Sequence, residues 1–185
     1  MAYEGRGDHG KTEHFRAAVL PYLDDVYTLA RYLLRNATDA EDAAQECYLR
    51  AFRHFETFRG GPIKPWLLAI LRNVCRAEYA RRAALLGLVA NNLDEAEDAT
   101  EGLWNEAQQS PEAETLHRLD SETMQRLIAQ LPDAFREAIV LREINDLSYR
   151  EIADVTAVPV GTVMSRLARA RLLLRTAWLT EVKKP

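Results

Sequence analysis

Arginines dominate one stretch of this chain. Between Val160 and Arg175 there are four of them and no acid, directly after a segment that reads as a short capped helix. Arginine bonds guanine edges bidentately and also neutralises phosphates, so a basic helix delivered by a tight turn is suited to reading double-stranded DNA. Ser148 and Glu151 have the spacing of a capping box, with Ile152, Ala153 and Val155 following at helical intervals. Pro159 marks a second start, since proline suits a first helical turn and not an interior. In the second helix Val163, Leu167, Leu172 and Leu174 suggest a packed side, leaving Thr162, Ser165, Arg166 and Arg169 to face outward. The pattern is that of a helix-turn-helix, whose second helix enters the major groove. A plain helical hairpin with a solvated arginine face is the alternative on local pattern alone.

Other residue types carry less chemistry. Cys47 and Cys75 are isolated among apolar neighbours and read as reduced core thiols, not as a disulfide framework. His9, His14, His54 and His117 are scattered, so no metal site is expected, and no nucleophile, base and orienting group converge. Neither catalysis nor a cofactor is expected. Residues 5–12 match the phosphate-loop lettering of Gly, four residues, Gly-Lys-Thr. That loop needs a strand before it to aim its amides at phosphates, and only Met1, Ala2, Tyr3 and Glu4 precede it. Nucleotide hydrolysis is therefore set aside.

The elements that must position the basic helix are all helical. Val19, Leu20, Leu23, Val26, Tyr27, Ala30, Leu33 and Leu34 mark one amphipathic helix. Thr38 with Glu41 offers a second capping box, opening a helix with Ala44, Cys47, Tyr48, Ala51, Phe52 and Phe55 on its apolar side. The loop 58–65 holds two glycines and two prolines, and a third helix follows over 66–82. Further on, a helix is expected over 114–130, a break at Leu131 and Pro132, and a helix over 135–143, with Leu141, Ile144, Leu147 and Ile152 in a core. Ser110, Pro111 and Glu112 supply the signals for structure to resume. No segment alternates like a strand.

The 185 residues carry a net charge of -4 that is unevenly spread. Residues 1–11 are neutral, 12–83 carry +2, 84–117 carry -8 and 118–185 carry +2. The simplest organisation is two mildly basic helical domains, 12–84 and 114–181, joined by an acidic linker over 85–113. No apolar run approaches the roughly 20 residues of a membrane span, and the N-terminus has no signal-peptide core, so no membrane insertion and a cytoplasmic location are expected.

The ordered set Asp39-Ala-Glu-Asp-Ala-Ala-Gln-Glu46, Leu49-Arg-Ala-Phe52, Phe58-Arg-Gly60, Trp66-Leu-Leu-Ala-Ile-Leu-Arg-Asn73, Leu131-Pro132, Tyr149-Arg-Glu-Ile-Ala153 and the run 158–171 resembles the extracytoplasmic-function sigma factors of the sigma-70 family. The resemblance spans both domains and implies an all-α chain, a region 2 helical bundle and a region 4 helix-turn-helix, that directs bacterial core RNA polymerase to promoters. It implies that Asp39, Glu41, Asp42, Gln45, Glu46 and Arg50 dock on the clamp coiled coil of the polymerase's largest subunit. It assigns Phe58, Arg59, Lys64, Arg72, Asn73 and Arg76 to opening the minus-10 element and holding a flipped base, which needs an aromatic pocket and basic groups along the strand. Trp66 is expected to anchor the core there. The same resemblance assigns Thr162, Ser165, Arg166 and Arg169 to the minus-35 element, with Arg150 and Arg171 on its backbone, and implies control by an anti-sigma factor. The competing reading is a dimeric regulator on a palindromic operator, which requires a dimerisation surface or ligand pocket in the first domain.

Overall fold

The computed structural model describes residues 5–85 and 121–182. Eight α-helices follow in order: α1 (Gly5–Val19), α2 (Leu23–Leu34), α3 (Ala37–His54), α4 (Ile63–Leu85), α5 (Ser121–Gln130), α6 (Asp133–Glu143), α7 (Tyr149–Thr156) and α8 (Val160–Val182). Short 3-10 turns sit at Leu20–Tyr22 and Phe55–Thr57, and no strand occurs among the described residues. The all-α expectation holds. The expected cap at Ser110 and the first part of the helix over 114–130 lie outside the described residues.

Each boundary has a local cause. Pro21 interrupts the expected first helix, so Val19 closes α1 and α2 starts only at Leu23. Helix α1 itself was not expected; it runs continuously through the phosphate-loop lettering, so the Gly-rich cradle does not form. Arg35 turns left-handed (φ 57°) and ends α2, its N–H reaching the Arg31 carbonyl. Asn36 then caps α3, accepting from the Asp39 N–H at 3.1 Å. The capping box expected at Thr38 is thus corrected, because the cap falls two residues earlier and Thr38 lies inside the helix. Helix α4 starts before Trp66 because Pro65 occupies its first turn, where no intrahelical N–H is needed. Similarly, α6 begins directly after Pro132. Ser148 and Glu151 do form a reciprocal capping box at the start of α7, and Ala157, at φ 56°, ends it.

The first unit packs α2, α3 and α4 around Val26, Leu29, Ala43, Cys47, Leu67 and Leu71. Small residues at Ala40, Ala43 and Ala51 line the buried side of α3 and permit close approach. Phe15 from α1 meets Phe52 and Phe55 edge-on, each at 5.2 Å between centroids. In the second unit α8 lies on α6 and α7, burying Val140, Leu141, Ile152, Val163 and Leu167. Ile144 packs against that core while remaining part-exposed. Leu172, expected on the packed side, is 56% exposed; the buried stripe of α8 instead runs Val163, Leu167, Ala170, Leu174. The two units also touch, α2 against α6 and α4 against α7.

Candidate nucleic-acid interface

Helix α3 presents Glu41, Asp42, Gln45 and Leu49 to solvent on one side. Glu46 and Arg50 close a 2.6 Å pair along the same stretch, and Asp39 is drawn to Arg82 of α4 at 2.5 Å. Arg82 also binds Glu78, whose carboxyl hydrogen bonds from Arg81 and Arg82 hold down to about 2. The six acidic-helix candidates are therefore brought together on one element, with Asp39 tied into its neighbour. Leu49, exposed by 53%, adds an apolar residue to this surface that was missed as a site residue. Its signal was an apolar residue off the apolar spacing of the helix.

The minus-10 candidates divide into two groups. Phe58 packs on Trp66 with centroids 4.8 Å apart, and Trp66 is half-buried, in keeping with its expected anchoring role. Phe58 lines an open groove with Lys11, His14, Phe55, Gly60 and Gly61, so α1 contributes side chains there that the sequence reading did not include. Gly60 and Gly61, at φ 90° and 108°, turn the chain where a side chain would strain it. Arg59 and Asn73 are exposed. Lys64 is held by Asp25 at 2.8 Å. Arg72 and Arg76 lie elsewhere, lining a small cavity where the two units meet. Arg72 is only 6% exposed and donates to Glu137 Oε1 at 2.7 Å.

Its sequence neighbours explain the burial. Leu68, Leu71 and Cys75 are all buried, and Arg72 continues their helical stripe. Arg166 has the same situation in α8: it lies between Val163, Leu167 and Ala170 and is 4% exposed. The expectation that Arg166 faces outward is corrected for this conformation, in which it lines the same cavity as Arg72. Thr162, Ser165 and Arg169 are part-exposed, Ser165 Oγ donating to the Thr162 carbonyl at 2.9 Å. Arg150 is exposed, and Arg171 pairs with Glu143 at 2.7 Å. The open face of α8 carries Gly161, Met164, Ala168 and Arg171 at intervals of three and four.

Both cysteines are buried and free, Cys47 Sγ lying 3.5 Å from the Leu67 carbonyl. Burial pushes each thiol up to about 12. No group of side chains able to hold a metal occurs among the described residues, and no helix there is long and apolar enough to cross a membrane.

A capped helix, a tight turn and a basic helix behind a compact helical bundle define a DNA-reading module joined to a second helical module. Family comparisons agree with that division. The model for sigma-70 region 2 matches residues 18–85, and the model for sigma-70 region 4 matches residues 121–174. The RNA polymerase sigma-H factor of Pseudomonas aeruginosa is 33% identical over 172 residues, covering 90% of this chain and 86% of that protein. The ECF RNA polymerase sigma factor SigW of Bacillus subtilis is also 33% identical, over 90% of this chain and 89% of its own. In fold the chain is similar to the sigma factor RpoE of Bartonella quintana, solved in complex with the anti-sigma factor NepR, with a TM-score of 0.70 at 24% identity over 93% of this chain and 99% of that one. The chain belongs to the sigma-70 family of RNA polymerase sigma factors, within its extracytoplasmic-function group.

Proposed function

We propose that this sigma factor divides its work between a region 2 unit over 12–84 and a region 4 unit over 114–181, with the acidic segment 85–113 between them. The observation that carries the reading is the pairing of a solvent-facing acidic strip on α3 with a capped helix-turn-helix in one chain. Glu41, Asp42 and Gln45, flanked by Asp39, Glu46 and Arg50, would dock on the clamp coiled coil of the largest polymerase subunit. Phe58 and Arg59, on the loop beside Trp66, would take a base of the opened minus-10 element, with Lys64, Arg72, Asn73 and Arg76 on the strand. Aromatic stacking is worth roughly 1–3 kcal/mol per base and tolerates sequence variation. Thr162, Ser165, Arg166 and Arg169 would meet the minus-35 element, with Arg150 and Arg171 on phosphates.

On this reading the chain has no catalysis of its own, works in the cytoplasm on the polymerase there, and is held inactive by an anti-sigma factor. Support for that partner comes from the exposed apolar residues Leu172, Leu173 and Leu179 on α8 and from the anti-sigma-bound state in which its structural relative was solved. Run-off transcription with purified core polymerase on a promoter library, with and without this protein, tests the reading. Specific starts that require the protein are the expected result. No starts, with tight binding of the protein alone to a palindromic site, would replace it by the dimeric regulator.

A further inference from the structure

Helix α1 closes one side of the open groove beside Phe58, and it lies almost wholly ahead of the residues matched as sigma-70 region 2. The groove encloses about 790 Å³, within the range of sites that take small molecules. Its aromatic side is continuous. His14 meets Phe55 edge-on with centroids 5.3 Å apart, Phe55 lies 6.5 Å from Trp66, and Phe58 rests on Trp66 at 4.8 Å. Across from it, a Cβ built on Gly60 or Gly61 would meet no atom within 4 Å, so the loop leaves space. Aromatic rings beside open space suit the π-face of an unstacked base of any identity.

A base seated there brings a phosphate with it, and three of the basic residues assigned to the strand stand elsewhere. Arg72 and Arg76 line the cavity at the seam between the two units, and Lys64 is held by Asp25. Among the described residues that line the groove, only Lys11 carries a fixed positive charge. Its Nζ lies 5.4 Å from the centre of the Phe52 ring and 2.9 Å from Glu56 Oε1. Ring and carboxylate together hold the ammonium at the groove wall. The carboxylate is the replaceable partner, because the Glu56 side chain is 70% exposed against 27% for Lys11, and exposed ion pairs are weak. A phosphate tethered to a seated base competes for the same ammonium at high effective concentration. Lys11 is also the lysine of the phosphate-loop lettering; helix α1 abolishes the amide cradle but leaves the lysine as a point charge beside a nucleotide-sized groove.

We propose that Lys11 is the phosphate-binding residue of this groove: it seats the backbone of the single-stranded minus-10 nucleotide whose base rests on Phe58, and Glu56 is the built-in competitor that the phosphate displaces. The inference rests on the reading of Phe58 as the residue that takes the base. It adds a DNA contact from α1, upstream of every residue that the sequence pattern assigned to promoter binding.

The test uses holoenzyme assembled from core polymerase and the full chain, with a single-stranded oligonucleotide carrying the minus-10 element found in the run-off screen. Lys11→Ala is expected to weaken binding about tenfold at low salt, as for one lost charge-assisted contact, and to make the slope of log affinity against log salt shallower by about 0.7. Alanine keeps helix α1 in place, and Lys11→Arg is expected to retain the parent slope. Glu56→Gln is expected to tighten binding by up to about fivefold, the span of an exposed ion pair, and to change nothing once Lys11 is alanine. Neutralising the strand's phosphates one at a time as methylphosphonates should find one position that weakens the parent and not Lys11→Ala, which identifies the strand as the source of the phosphate. Unchanged affinity and slope in Lys11→Ala overturn the proposal, and so does a scan in which no position separates the two proteins. Phe58→Ala keeps the two readings apart. If it binds as tightly as the parent, the groove is not the base site and the underlying reading falls; if it weakens binding while Lys11→Ala does not, only the role of Lys11 falls.

Discussion

Two arginines show how a residue's function depends on its place in a helical stripe. Arg72 continues Leu68, Leu71 and Cys75, and Arg166 continues Val163, Leu167 and Ala170, so both point inward despite being charged. The stripes are visible in the sequence; the partner is not, since Glu137 lies 65 residues beyond Arg72. The buried thiols follow the same logic and their inertness is testable. With both pushed up to about 12 by burial, the thiolate is scarce at neutral pH. Alkylation at pH 8 is expected to label neither Cys47 nor Cys75 until denaturant is added, as mass spectrometry would read; rapid labelling of the native chain would revive a redox role. The stability linked to these thiols is complete below the unfolded value of about 8.5 and is lost as pH rises from there toward the folded value. Glu151 has the opposite sign. Hydrogen bonds from the Ser148 hydroxyl and N–H hold its carboxyl below the usual range. Its contribution is present above about pH 4.3 and is lost as pH falls through the lower folded value. Glu151→Gln is therefore expected to lower the melting temperature at pH 7, with the difference from the parent chain shrinking as pH falls below 4; a constant difference would show that packing, not charge, was removed.

At the scale of elements, local signals located α7 well and α3 less well. The box at Ser148 is unambiguous because apolar spacing begins directly after it. Near α3 the sequence offers Asn36 and Thr38, and only Thr38 has a glutamate three residues on. What decides for Asn36 is the left-handed turn at Arg35, a backbone event that leaves no compositional mark. Helix α1 was missed because glycine and charge fill its first half, and from Gly10 onward it buries only Phe15 and Val19. The cap at Asn36 gives α3 a prediction that separates stability from docking. Asn36→Ala removes the acceptor for the Asp39 N–H and is expected to cost about 1 kcal/mol in urea unfolding, typical for a lost N-cap. Asp42→Ala, on the exposed strip of the same helix, is expected to change stability by less than about 0.5 kcal/mol. Its affinity for core polymerase, followed by fluorescence anisotropy, should nevertheless fall about tenfold, the loss of roughly 1.4 kcal/mol expected for a charge-assisted contact. An unchanged polymerase affinity in Asp42→Ala would mean that the strip is only a solvated helix face.

For the whole molecule, the charge division along the chain pointed to two units, matched by the family models over 18–85 and 121–174, and the structure adds that the units pack on each other, while the acidic segment lies outside the described residues. Composition could not reveal this, because the seam pairs charges of one unit with opposite charges of the other, and the net charge of a unit does not record which of its charges meet a partner. Its pairs differ in how they should answer to salt. Arg35 and Asp133 are 53% and 40% exposed and 3.4 Å apart, so their attraction is screened. Arg72 and Glu137 are almost fully withdrawn from solvent, where mobile ions cannot enter between them. If the buried pair governs closure, raising sodium chloride from 0.05 to 0.5 M should leave the radius of gyration from small-angle scattering unchanged, although the Debye length falls from about 14 Å to about 4 Å. Closure held by exposed pairs would instead give way over that range, and the radius would grow from near the roughly 16 Å of a compact chain of this length. Glu137→Gln makes the contrast sharper. With the central pair broken the exposed, screened contacts carry a larger share of closure, so the variant should expand with salt where the parent chain does not.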